Sequence, residues 1–219
     1  ILRELERRFP TPTLFPVDLA AIAEAITYWA ENRLFRPISL YVSGANLDFL
    51  PAGLQVDRSI MRGLPSPSPE TMQRATERNA PLVRVQLPRI EAMLSDGRPW
   101  IAGHAMTVAD LAIYHALWFF TARSPRLLPE IAPFERINAW MSCICAIGHG
   151  EATPLSSAHA LGIATDAVPK APREPMCFDE DPGLGTMVRI RADDYGRDPV
   201  EGKLIFLDAG EIAISREDP

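Results

Sequence analysis

The chain has 219 residues, opens on Ile1, and is 47% apolar and 23% charged, which describes one large globular domain, or a domain with an appendage, and excludes a disordered chain. No run of about 18 apolar residues occurs, which excludes a membrane-spanning helix, and a net charge of −6 argues against a primary role on nucleic acid, which needs a basic face. Three cysteines, Cys143, Cys145 and Cys177, are too few for a disulfide scaffold and fit a reducing, cytoplasmic compartment.

Charge is uneven along the chain. Residues 1–150 hold 15 basic and 14 acidic side chains, whereas 151–219 hold 7 and 14, for net charges of +1 and −7. Pro154, Pro169, Pro172, Pro175 and Pro182 crowd the passage after 150. The division is therefore a helical body, a Pro-rich passage and an acidic tail.

Ile1, Leu2, Leu5 and Phe9 share one helical face. A helix beginning at the first residue has no partner for its first N–H groups, so the reading expects it to be entered part-way, with a segment upstream of Ile1. Phe9-Pro10-Thr11-Pro12 stops it, because each proline disfavours helical geometry in the residue before it. A helix over 18–35 follows, capped by Asp18, with Leu19, Ile22, Ala23, Ile26 and Ala30 inward and Tyr28, Trp29 and Phe35 partly off that stripe. Residues 36–68 are punctuated by Pro and Gly and show no clear period. Ser68-Pro69-Glu70 opens a helix toward Leu94, with Val83, Leu87, Ile90 and Leu94 inward and Pro81 and Pro88 expected to break or kink it.

Residues 107–122 are apolar nearly all round and predict the central, buried helix. Pro133 opens another, with Phe134, Ile137, Met141 and Ile144 inward, and Thr153-Pro154 a short one through Ala164. After 182 the period becomes two. Val188 and Ile190 alternate with Arg189 and Arg191, and the β-rich runs 203–207 and 211–216 flank Asp208-Ala209-Gly210, a three-residue hairpin loop. The fold class predicted is mainly α, a helical bundle ending in a small antiparallel β-meander. Such a meander is too small to stand alone.

The sharpest local signal is Met106-Thr107-Val108-Ala109-Asp110-Leu111. Thr107 can cap the helix, Asp110 can reach back to the Thr107 N–H, and Met106 with Leu111 forms a hydrophobic staple. Asp110 is thus read as a structural cap rather than a catalytic acid. Leu94-Ser95-Asp96-Gly97-Arg98-Pro99-Trp100-Ile101-Ala102-Gly103, followed by Thr107-x-Ala109-Asp110, resembles the all-helical C-terminal domain of cytosolic glutathione S-transferases. The resemblance covers about residues 1–168. It implies that 1–10 is the end of the last helix of a thioredoxin-like domain, 11–17 the interdomain linker, 18–168 the helical domain, and 169–219 a Pro-rich passage and acidic β-tail without counterpart.

The resemblance also implies a division of labour. Glutathione, and the side chain that stabilises its thiolate, belong to the thioredoxin-like domain, so no catalytic residue is expected in this chain, which alone would be inactive. What it would supply is the wall for a small hydrophobic electrophile or disulfide, with Tyr28, Asn32, Phe35, Tyr114 and Trp118 as candidates. Aromatic rings with polar tips suit an apolar pocket that must orient a ligand. A homodimer is the family's habit. Two alternatives stand beside this reading: a non-catalytic interaction module, and a ligand-binding or redox-chaperone relative.

Other features carry less. Cys143 and Cys145 lie about 200° apart around a helix and cannot pair. His104, His115, His149 and His159 have no metal spacing, so no metal is expected. The acidic turn 193–199 lacks the spacing of a calcium loop and reads as a solvated turn.

Overall fold

The computed structural model describes residues 1–168, 180–193, 196–208 and 210–216. Pro169, Pro172, Pro175, Cys177, Asp194, Tyr195 and Ala209, which figure in the sequence reading, lie outside the described residues. Helices run to Asp166, and a three-stranded antiparallel sheet follows, as the fold class predicts. The chain divides into two compact units, 1–51 with 67–150 and 52–66 with 151–219.

In the first unit, α1 (Leu2–Arg8) precedes α2 (Ala20–Trp29), which passes through a π-helical segment (Ala30–Phe35) directly into α3 (Arg36–Ala45). Residues 36–45, for which the sequence showed no period, are therefore helical and bury Ile38, Tyr41, Val42 and Gly44. The π segment lies just ahead of Pro37. A proline has no N–H to give, and its ring crowds the carbonyl four residues back. Widening the turn relieves both conflicts without ending the helix.

Asp18 does not cap α2. Leu19 occupies the N-cap position, and the Pro16 carbonyl accepts from the N–H groups of Leu19 at 2.9 Å and Ala20 at 2.7 Å, so a backbone turn feeds the helix instead. Ile22, expected inward, is 53% exposed, because the buried stripe runs through Ala23, Ala30, Leu34 and Ile38.

Ser68 caps α5 (Pro69–Arg84), its hydroxyl accepting from the Thr71 N–H at 3.3 Å. The break expected at Pro81 does not occur there. Pro81 forgoes its own backbone bond while the helix runs on to Arg84, and the interruption comes at Val85 and Gln86, ahead of Pro88 in the first turn of α6 (Leu87–Met93). The central helix is α7 (Val108–Arg123), packed against α2, the π segment and α3. A single 3-10 turn (Pro125–Leu127) leads to α8 (Leu128–Ile131) and α9 (Glu135–Ile147). Glu91 closes the start of α9, its carboxylate accepting from the N–H groups of Arg136 at 3.1 Å and Ile137 at 3.0 Å. A negative group at a helix N-terminus is favoured by the exposed donors there.

Glu130 ties three elements together. It accepts from the Tyr41 hydroxyl at 2.5 Å and from Arg84 at 2.7 and 3.1 Å. Partial burial pushes the carboxyl up, but the Arg84 and Tyr41 hydrogen bonds outweigh it and hold Glu130 below the ordinary carboxylate value. A depressed folded-state value stabilises above the unfolded pKa, and the contribution disappears as pH falls through the folded one. Glu130→Gln should therefore cost about 1 kcal/mol or less at neutral pH, since Arg84 is solvent-exposed. The gap between wild type and variant should close as the buffer is taken below about pH 4. Urea unfolding across that range checks it, and a pH-independent gap would assign the loss to packing.

The second unit contains α4 (Ala52–Met61), α10 (Ser157–Asp166), β1 (Met187–Ile190), β2 (Val200–Leu207) and β3 (Ile212–Ser215). The helix expected from Thr153-Pro154 begins three residues later, where Ser156 accepts from the His159 N–H at 3.2 Å. In β2, Gly202, Leu204 and Phe206 are buried, and the register with β3 shifts at Ile205. A Cβ at Gly202 would lie 2.6 Å from the Ser215 carbonyl oxygen, so only glycine fits there. The Gly196 N–H donates to the Met61 carbonyl at 3.0 Å, joining the loop before β2 to the end of α4.

Candidate functional site

The first unit carries an open groove of about 490 Å³. Its apolar lining comes from Ile1, Leu2 of α1, Phe15 of the linker and Val108 at the start of α7. Its polar lining comes from Arg3 and from one face of α2 and the π segment, where Glu24, Thr27, Tyr28 and Glu31 recur at helical spacing. Arg3 is ion-paired with Glu24, and its guanidinium lies 5.3 Å from the centre of the Phe15 ring. The Thr27 hydroxyl donates to the Ala23 carbonyl at 2.8 Å. Tyr28 is 71% exposed. A smaller pocket of about 260 Å³ lies between α2 and α6, lined by Ala25, Ile26, Trp29, Arg89 and Met93.

Of the five residues expected to form a ligand wall, Tyr28 lines the larger groove and the other four do not. Asn32 donates its amide to the Tyr28 carbonyl at 2.9 Å. Phe35 packs on His115 at 4.7 Å and edge-on to Phe119 at 5.5 Å, which pins the π segment to α7. Tyr114 meets Trp140 edge-on at 6.4 Å, and burial pushes its phenol up, with neighbouring Cys145 adding to the effect. Trp118 lies under the Arg123 guanidinium, 5.2 Å from ring centre to charge. The five side chains thus serve several contacts.

The capping box forms as the sequence predicts. Asp110 is fully buried, as is Thr107, and its Oδ2 accepts from the Thr107 N–H at 2.9 Å and hydroxyl at 3.2 Å. Its Oδ1 does more than the sequence indicated. It accepts from the Ile101 N–H at 2.8 Å and from Trp140 Nε1 at 3.1 Å, drawing the 94–103 loop and α9 onto the start of α7. A buried carboxylate that faces four donors is a structural clamp, and no lone pair is left aimed at a ligand.

The model of the glutathione S-transferase C-terminal domain matches residues 49–147. A GST-like protein from Pseudomonas syringae superimposes with a TM-score of 0.75 at 27% identity, over 99% of this chain and 68% of that one. Residues 49–147 thus resemble the C-terminal domain of the glutathione S-transferase family, and the fold is that of a GST-like protein. A glutathione S-transferase from Rhodospirillum rubrum F11 aligns with a TM-score of 0.43 at 19% identity over 65% of this chain, which spans 57% of that protein's length. The β-etherase LigF from Sphingobium sp. strain SYK-6 gives 0.40 at 20% identity, over 67% of this chain and 71% of that one. No curated protein matches the chain.

Phe15, Glu24, Thr27 and Glu31 line the groove without having been evident as candidates in the sequence. Residues 24, 27, 28 and 31 form one helical face, but in sequence Glu24, Thr27 and Glu31 are indistinguishable from an ordinary solvated face. Phe15 gave no signal, because its place depends on how the linker folds back. Among the described residues no group of three His, Cys, Asp or Glu could hold a metal ion, and no helix is long and apolar enough to cross a membrane.

Proposed function

We propose that this chain provides the co-substrate wall of a glutathione S-transferase, and that the groove beside Tyr28 receives a small hydrophobic electrophile or disulfide. The observation that carries the proposal is the position of the groove. It lies between α1, which the family resemblance makes the end of a thioredoxin-like domain, and the α2 face that bears Tyr28. The same resemblance assigns glutathione mainly to that upstream domain, and no residue here matches its thiolate-stabilising side chain. α1 buries no residue in this chain and exposes Leu2, Leu5 and Phe9, which supports a further domain packed on it.

In this reading glutathione supplies the reactive thiol, and the residues of this chain bind, orient and keep water from its partner. Tyr28 makes the direct contact. Asn32 and Phe35 hold the helical segment that carries it, while Tyr114 and Trp118 act through the packing of α7. A cytoplasmic homodimer completes the proposal.

In the protein with its upstream residues, Tyr28→Ala should raise KM for a hydrophobic electrophile about fivefold, the loss of one aromatic contact to the ligand. KM for glutathione should stay within error. Equal rises in both would assign Tyr28 to general packing, and absence of any glutathione-dependent turnover in the wild type would favour the interaction-module alternative.

A further inference from the structure

We infer that the groove selects its ligand by charge, taking small aromatic or other apolar molecules that carry a cationic group such as an amine, and disfavouring anionic ones. This rests on the reading above that the groove receives the co-substrate. The apolar body of such a ligand is matched by Leu2, Phe15, Val108 and the exposed ring of Tyr28. Arg3, the side-chain cation of the lining, is already engaged by the Glu24 carboxylate and the Phe15 ring. Glu31 is different. It lies one helical turn beyond Tyr28 on the same face, and among the described residues no hydrogen bond or ion pair engages it. Among the lining side chains, Glu31 is therefore the one carboxylate without a partner, and it stands beside an aromatic ring; the terminal ammonium of Ile1, at the same groove, makes no ion pair with it.

The selection is local, because residues 1–150 as a whole carry a net charge of +1 and would not by themselves attract cations. An exposed carboxylate is strongly screened, so the preference should be modest, about three- to fivefold, and should weaken with added salt.

Calorimetric titration of the full chain with three matched probes tests this: 2-naphthylmethylammonium, 2-naphthylmethanol and 2-naphthoate. The cation should bind about three- to fivefold tighter than the alcohol, with the carboxylate weakest. Glu31→Gln should bring the cation level with the alcohol and leave the alcohol unchanged, whereas Tyr28→Ala should weaken all three. If wild type binds cation and alcohol equally, or if Glu31→Gln keeps the preference, the charge selection is wrong while the groove itself stands. If alcohol binding ignores Tyr28→Ala, or no probe binds, the co-substrate reading of the groove falls and the selection with it.

Discussion

Asp110→Ala should lose about 3–5 kcal/mol of stability, the largest single-residue loss expected in the chain. The substitution removes the acceptor for four donors at once: the N–H groups of Ile101 and Thr107, the Thr107 hydroxyl and Trp140 Nε1. Thr107, Asp110 and Ile101 are shielded from water, so the freed donors gain no replacement partner. Asp110→Asn should fare little better. Each carboxylate oxygen faces two donors, so whichever way the amide is turned, its NH2 group meets N–H or O–H groups. Trp140→Phe, which deletes one donor and keeps an aromatic ring, should cost about 1 kcal/mol. Thermal unfolding of the full chain measures all three. A loss below about 1 kcal/mol for Asp110→Ala would mean that the carboxylate is not the clamp described.

The second large effect is decided by sign. Gly44 sits inside α3, where replacing glycine by alanine ordinarily stabilises a helix by about 1 kcal/mol. Here a Cβ would overlap Thr76 Oγ1 on α5 outright and lie 2.9 Å from Thr76 Cβ and 3.2 Å from the Met72 carbonyl oxygen. Rotating the Thr76 hydroxyl away would break its bond to that same carbonyl, at 2.9 Å, and would leave the Cβ contact in place. The two helices would have to separate, so Gly44→Ala should destabilise by about 1–3 kcal/mol net. Adding Thr76→Ala should recover part of the loss, because it removes the overlapping oxygen but keeps the Cβ. A double-mutant cycle by urea unfolding gives the coupling. A stabilised Gly44→Ala would show that α3 and α5 do not approach so closely.

Most of the helical body was legible because its signals are local. Thr107 and Asp110 lie three residues apart, and the buried positions of α7 need only a run of apolar residues. Long-range partners were not legible. Nothing near Asp110 in sequence points to Trp140, thirty residues on, and nothing near Glu91 points to the start of α9. The failure over 36–45 has a different cause. Pro37 and Gly44 are both read as helix breakers, yet Pro37 is accommodated by the wide turn before it and Gly44 by the close approach of α5. For the candidate site, Tyr28 stands out by its displacement from the apolar stripe and by the wall that the family resemblance implies, and it lines the groove. Tyr114 and Trp118 follow from helical position together with the family resemblance, on a helix with no polar face to separate ligand contacts from packing, and their neighbours Trp140 and Arg123 engage them elsewhere.

The π segment at Ala30–Phe35 sets the rotational phase between two stretches of one rod. One residue fewer in that segment would restore the regular pitch and swing everything before it by about 100° relative to everything after. Ile38 and Gly44 would keep their seats against the core while Tyr28 and Glu31 turned toward another quarter of the surface. The same turn would carry Ala23 out of the core, so the length of this one coil couples the direction of the exposed face to the seating of α2 on the scaffold beneath it.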